Sequence, residues 1–236
     1  MNPIARRVPT GNGWTWLAAA WSIFRPAAGI WIGMVITLGV ILVVVGLVPF
    51  IGALAISVLW PVFVAGLVIA SRTIDQGGEP QFGQLFAGFR QRLGTLVILG
   101  AISLAISFAI VALVVALTGV KLYGLMGADS NPEQVFAAAA TVALAGLIML
   151  ALMLPLAMAT WFAPPLIVFN ELGAWSAMKA SFVGCLKNML PFLLYGVIAL
   201  VAGAIASVPL FLGWLVLAPV LAASVYTAYK DIYFEG

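Results

Sequence analysis

The sequence predicts an all-α, polytopic membrane protein: six transmembrane helices in three parallel repeats, each preceded by an amphipathic interfacial helix. Three observations predict it. The 236-residue chain is 65% hydrophobic and only 7% charged, against about 25% charged residues in a soluble domain, so its surface has to face lipid. Its charges are separated by long charge-free runs, residues 26–71, 135–169 and 188–229. Finally, the segment Pro61–Arg72, PVFVAGLVIASR, is echoed at Pro219–Lys230, PVLAASVYTAYK. The echo keeps the proline, the valine, the alanines at the fifth and tenth places and a closing cation. A fainter copy starts at Pro155, with Ala159 at the fifth place.

Composition also narrows the chemistry. A single cysteine, Cys185, excludes an internal disulfide and any cysteine-cluster metal site. The absence of histidine removes the usual general base, the commonest zinc ligand and the serine–histidine triad. No enzyme activity and no cofactor are expected. The net charge is +3, but the cations stand singly, with no basic run to suggest nucleic-acid binding.

In chain order, residues 1–13 are polar and predict a flexible tail ahead of one membrane domain, residues 14–236. Arg6 and Arg7 precede an aromatic stretch rather than a short apolar core with a cleavage site, so an uncleaved anchor is expected. Trp14, Leu17, Trp21 and Phe24 recur at helical spacing and end on Arg25, the pattern of a helix lying in the membrane interface. Residues 26–71 suffice for two spans of about 20 residues and a turn. Pro49 and its flanking glycines place that turn at Gly46–Gly52. Gly29 and Gly33 form a GxxxG spacing that permits close helix contact.

The second repeat opens with QFGQLFAGFRQR, where Phe82, Leu85, Phe86 and Phe89 share a face that Arg90 and Arg92 close. A span follows over about Leu93–Val120. The next helix is expected near Pro132, with Ser130 and Glu133 at capping-box spacing and Asp129 nearby. As one helix, residues 135–169 would be about 52 Å long, well beyond a hydrocarbon core of about 30 Å. Pro155 is expected to kink it and Ala163–Pro165 to end it. The third repeat begins at Trp175, Met178, Phe182 and Cys185, followed by Lys187, and its hairpin is expected to turn at Ser207–Gly213. The repeats are thus 14–74, 80–170 and 172–232.

Of the ten Lys and Arg residues, only Lys121 falls on the side opposite the N-terminus. The positive-inside rule then puts both termini in the cytoplasm. No carboxylate or cation sits near the middle of a span, which counts against a proton- or ion-coupled pump. Three features invite a functional reading. Arg25, Arg90 and Lys187, one per repeat, are candidates to converge on a phosphate such as an anionic phospholipid headgroup; the plainer account is snorkelling anchors. Trp14, Trp21, Phe82, Phe86, Trp175 and Phe182 form an interfacial belt or, alternatively, a docking surface for a membrane-protein partner. Pro61, Pro155, Pro164, Pro165 and Pro219 frame either a site or simple kinks.

In Ala163–Gly196, the places of Pro165, Glu171, Ala177, Met178, Ser181 and Phe182 make the chain similar to the membrane domain ahead of some glycerophosphodiester phosphodiesterases. Arg6-Arg7, Gly13-Trp14, Phe86–Arg90 and Ala223–Ile232 also make it resemble an uncharacterised six-span proteobacterial inner-membrane family. The resemblance implies an all-helical protein of the bacterial inner membrane and no catalytic residue. The phosphodiesterase catalytic domain has no counterpart in these 236 residues. The expected role is a non-enzymatic accessory module of the envelope that engages lipid or a partner; the alternative is a passive channel or facilitator for a small neutral solute.

Overall fold

The computed structural model describes residues 4–125 and 132–234. The expectations resting on Asp129 and Ser130 lie outside these residues. Among them every regular element is helical. The α-helices are α1 (Asn12–Phe24), α2 (Ala28–Gly46), α3 (Ile51–Asp75), α4 (Ala87–Arg90), α5 (Leu93–Leu125), α6 (Pro132–Trp161), α7 (Ala163–Asn170), α8 (Ala174–Lys187), α9 (Met189–Ser207) and α10 (Trp214–Tyr233), and Arg25–Ala27 and Phe82–Phe86 form 3-10 turns. Among the described residues six helical stretches are long and apolar enough to cross a bilayer: Asn12–Gly46, Ile51–Asp75, Leu93–Gly119, Pro132–Asn170, Met189–Ser207 and Trp214–Tyr233.

Two interhelical turns fall where proline and glycine place them. The first joins Gly46 to Ile51 and the second joins Ser207 to Trp214. In each, the residue after Val-Pro takes a left-handed backbone, Phe50 at φ 59° and Leu210 at φ 50°. The second half of each turn closes on a glycine. A Cβ on Gly52 would overlap the Val45 carbonyl, and one on Gly213 would overlap the backbone of Ala206.

α3 and α10 form the centre and pack on each other. Counted from their internal prolines they bury matching positions: Pro61 and Pro219, Val62 and Val220, Ala65 and Ala223, Gly66 and Ser224, Val68 and Tyr226, Ala70 and Ala228, Ser71 and Tyr229. Around them, α2 packs on α3 and α10, α5 on α3 and α6, and α9 on α1 and α10. Short helices lie against the spans: α1 on α10, the 3-10 turn Phe82–Phe86 with α4 on α3, and α8 on α6. Outward faces carry rows of bare Leu, Val and Phe, as expected where lipid replaces water.

Three local expectations are corrected. Ala163–Pro165 does not end a helix but starts α7, with prolines in its first turn, where a missing N–H costs nothing. The break lies one residue earlier, at Phe162. There the Ser181 hydroxyl accepts from the Phe162 N–H (2.9 Å) and donates to the Met158 carbonyl (2.6 Å), so it stands inside the helical ladder. Secondly, the Gly29/Gly33 stripe is not a point of close backbone approach between helices. Gly29 faces open space and Gly33 meets only the Phe82 ring. Close approaches use other glycines: Gly66 against the Gln84 and Leu85 carbonyls, Gly88 against Val62, Gly100 against Val58 and Gly13 against Pro191.

The N-terminal segment supplies the third correction, because it is strapped down rather than free. The Arg6 N–H donates to the Ile232 carbonyl at 3.0 Å. The Asn188 side chain grips both neighbours of Arg7, donating to the Arg6 carbonyl and accepting from the Val8 N–H, each at 2.9 Å. Lys187 Nζ donates to the Ala5 carbonyl at 3.1 Å. Both described ends of the chain therefore meet on one face, here termed the terminal face.

Candidate functional site

The terminal face carries a dense polar lock built from chain segments far apart in sequence. Asp231, just inside the end of α10, accepts from Arg6 (2.9 Å), Asn12 Nδ2 (2.7 Å) and Trp16 Nε1 (2.8 Å). Asp75, which closes α3, accepts from Lys230 Nζ (2.7 Å) and the Tyr226 hydroxyl (2.8 Å). Tyr229 donates to Asn170 Oδ1, and the Arg72 guanidinium lies 4.8 Å from the Phe169 ring centre. Thr227 Oγ1 donates to the Trp16 carbonyl at 2.8 Å, tying α10 to α1. A cavity of about 330 Å³ sits between α1 and the ends of α3 and α10, lined by Arg6, Asn12, Asp75, Lys230 and Asp231. Its charges already answer one another in two ion pairs, Arg6–Asp231 and Lys230–Asp75. It is a structural clamp.

The larger concavity is of another kind. α6 packs along α5 and α8, while α9 packs along α1 and α10. Between α6 and α9 runs an open groove of about 600 Å³. Its walls are Leu154, Ala157, Met158 and Trp161 from α6, and Met189, Leu190, Leu193, Gly196, Val197 and Leu200 from α9. Cys185, Phe192 and Tyr195 complete them. The lining is almost wholly apolar; the Tyr195 hydroxyl is engaged by Ser224 at 2.8 Å. No residue of α6 is buried.

Burial pushes the Cys185 thiol from its ordinary value of 9.0 up to about 12, against a smaller opposing effect of its hydrogen bond with Ser181. The thiol is 4% exposed, and its sulfur donates to the Met158 carbonyl at 3.5 Å. It is therefore a packing group at the end of the groove rather than a nucleophile.

No hydrogen bond or ion pair among the described residues links the three cations singled out in the sequence. Arg25, Arg90 and Lys187 stand near the starts of α2, α5 and α9, outer helices that pack on the central ones rather than on each other. All three are exposed. The Arg25 and Arg90 side chains make no hydrogen bond or ion pair among the described residues, whereas Lys187 holds the N-terminal strap. Of the aromatic set, Trp14, Trp21, Phe82 and Trp175 stand out from the surface, while Phe86 and Phe182 are half-buried. In α1 the buried face is Trp16, Leu17, Ala20, Ile23 and Phe24.

Sequence reasoning missed both Asp231 and the groove. Asp231 lies 225 residues from Arg6 and 215 from Trp16, and nothing local marks it. The groove is a gap between two apolar helices that read like the other four. Gly196 was the available signal: a small residue among large ones on α9, with open space where a Cβ would stand.

No family model matches the chain, and no solved structure matches it. One curated protein does, a probable inner membrane protein of Burkholderia thailandensis, 31% identical over 199 residues that cover 81% of this chain and 73% of the relative.

Proposed function

This chain belongs to the family of that Burkholderia inner membrane protein, and on that premise we propose that it is a multi-pass protein of the bacterial inner membrane whose role is to engage membrane lipid, not to catalyse a reaction. Both termini face the cytoplasm in this reading, which puts the cation-rich terminal face on the side the positive-inside rule favours. The sequence contains no histidine, and its clustered carboxylates are occupied by the clamp.

The proposed architecture is a ring of three parallel units, each an interfacial helix followed by a hairpin of two spans. Four observations support it. Each interfacial helix packs on the second span of the preceding unit: α4 on α3, α8 on α6 and α1 on α10. The two described turns share Val-Pro and a left-handed residue. α3 and α10 bury the same positions. The first span of a unit also packs on the second span of the unit before it, α5 on α3 and α2 on α10. The remaining seam, α6 with α9, is open.

That open seam carries the functional reading. At the α3–α5 seam, Gly100 lies ten residues after Arg90 and meets the Val58 backbone. At the open seam, Gly196 lies nine residues after Lys187 and meets nothing. An apolar groove facing the bilayer sideways has to be filled, and acyl chains are the apolar material at hand. Arg25 and Arg90 act here as interfacial anchors, and the exposed Trp and Phe residues as the belt that sets the depth of the bundle.

Purification in a mild detergent followed by lipid extraction tests this. Phospholipid is expected to remain in near-stoichiometric amount on the native chain. Gly196→Leu, which fills space that is open in the structure, is expected to lose it while the thermal transition is kept. Equal retention by both proteins contradicts the reading.

A further inference from the structure

Resting on the reading of the seam as a lipid groove, we propose that its occupant is one acyl chain of an anionic phospholipid from the leaflet at the terminal face, with Lys187 and Arg7 holding the headgroup. Length argues for a lipid. The groove follows α9 from Met189 to Leu200, about 16 Å at 1.5 Å per residue. That is half of a hydrocarbon core of about 30 Å, the depth of one leaflet. A transmembrane helix of a partner, or of a second copy, spans both leaflets and would run on beyond the walls of this groove. Position argues for the leaflet, since the lining begins at the terminal-face end of α9 and runs back along the last two turns of α6.

Charge argues for the headgroup class. Lys187 and Asn188 stand in the chain between two residues of the groove wall, Cys185 and Met189. Asn188 grips the backbone on both sides of Arg7, which anchors that residue beside the start of α9. Arg6 next to it is spent on Asp231. Arg7 is exposed and has no ion pair or hydrogen bond among the described residues. Lys187 gives one bond to the Ala5 carbonyl and keeps two of its three donors. Two cations with no ion pair among the described residues therefore belong to the segments next to the terminal-face end of an apolar slot, the complement of a headgroup with one negative charge above a chain.

The test is a competition in nanodiscs of equal parts phosphatidylethanolamine and phosphatidylglycerol, read by native mass spectrometry after release into mild detergent. The full chain is expected to retain one phospholipid, with phosphatidylglycerol preferred by roughly fivefold for each cation. Arg7→Gln with Lys187→Gln is expected to retain one phospholipid and lose the preference. Gly196→Leu is expected to retain none. Three outcomes overturn the proposal: an unchanged preference in the double variant, no preference in the native chain, or a retained second copy in place of lipid. If the native chain holds lipid that Gly196→Leu releases but shows no preference, the headgroup assignment alone fails. If the native chain retains no lipid, the lipid reading of the seam fails with it.

Discussion

At the scale of the residue, the two most buried tryptophans differ in one respect. Trp16 donates its indole N–H to a carboxylate, Asp231, at 2.8 Å, whereas the buried Trp31 Nε1 has no partner among the described residues. A hydrogen bond to a charged group contributes about 1.5–3 kcal/mol, and an unsatisfied buried donor costs about 1–3 kcal/mol. Trp16→Phe is therefore expected to lower the thermal transition in detergent by clearly more than Trp31→Phe, although each removes the same atoms. Equal losses contradict the assigned bond. Cys185 offers a second expectation. Its folded value near 12 stands above the ordinary 9.0, so between those values the unfolded chain sheds a proton that the folded chain keeps. The thiol's contribution to stability is then complete below pH 9 and falls as pH rises toward 12. The gap in thermal transition between native protein and Cys185→Ala is expected to shift against the native protein from pH 8 to pH 10. Parallel profiles rule this out. Neither tryptophan role was legible in the sequence, because the partner that separates them lies at the other end of the chain.

At the scale of the element, charge-free runs and turn residues made the spans readable, and proline was the least readable signal. Pro155 sits inside α6, Pro61 and Pro219 sit inside α3 and α10, and Pro164 and Pro165 open α7. A proline announces a missing N–H, not which end of a helix will absorb it. The real break depends on Ser181, nineteen residues from Phe162, and no local pattern marks that. Ser181→Ala removes the hydroxyl bridging Phe162 and Met158 and leaves a buried N–H without its acceptor. A loss of about 1–3 kcal/mol is expected in unfolding measurements. No change would mean that the ladder closes without the bridge. Glycine spacing misled for a related reason: GxxxG permits an approach without supplying a neighbour. Gly66→Leu, which would collide with the Gln84 and Leu85 carbonyls, is expected to cost at least about 1–3 kcal/mol. Gly29→Leu, with open space around it, is expected to be near neutral; equal effects would mean the turn at Phe82–Phe86 does not press on α3.

At the scale of the whole molecule, the sequence carries apolar runs and the turns between them but not which helices meet. The alternation of apolar runs and cations is a local property. The pairing of α6 with α9, or its absence, is settled by side-chain fit between segments about 40 residues apart, and both helices are apolar all round. Orientation can be checked alone. In a Cys185→Ser background, single cysteines at Phe50 or Phe211 are expected to react with an impermeant maleimide from the periplasmic side, and one at Gln76 only after the inner membrane is opened. The reverse pattern inverts the topology and with it the choice of leaflet. The central claim, a three-unit ring left open at one seam for lipid, is tested most directly by a density map of the protein in a lipid nanodisc. In that map α6 and α9 are expected to stand apart, with an elongated density running about 16 Å past Gly196 from the level of Lys187. A map in which α6 and α9 pack together as α3 and α5 do would contradict it.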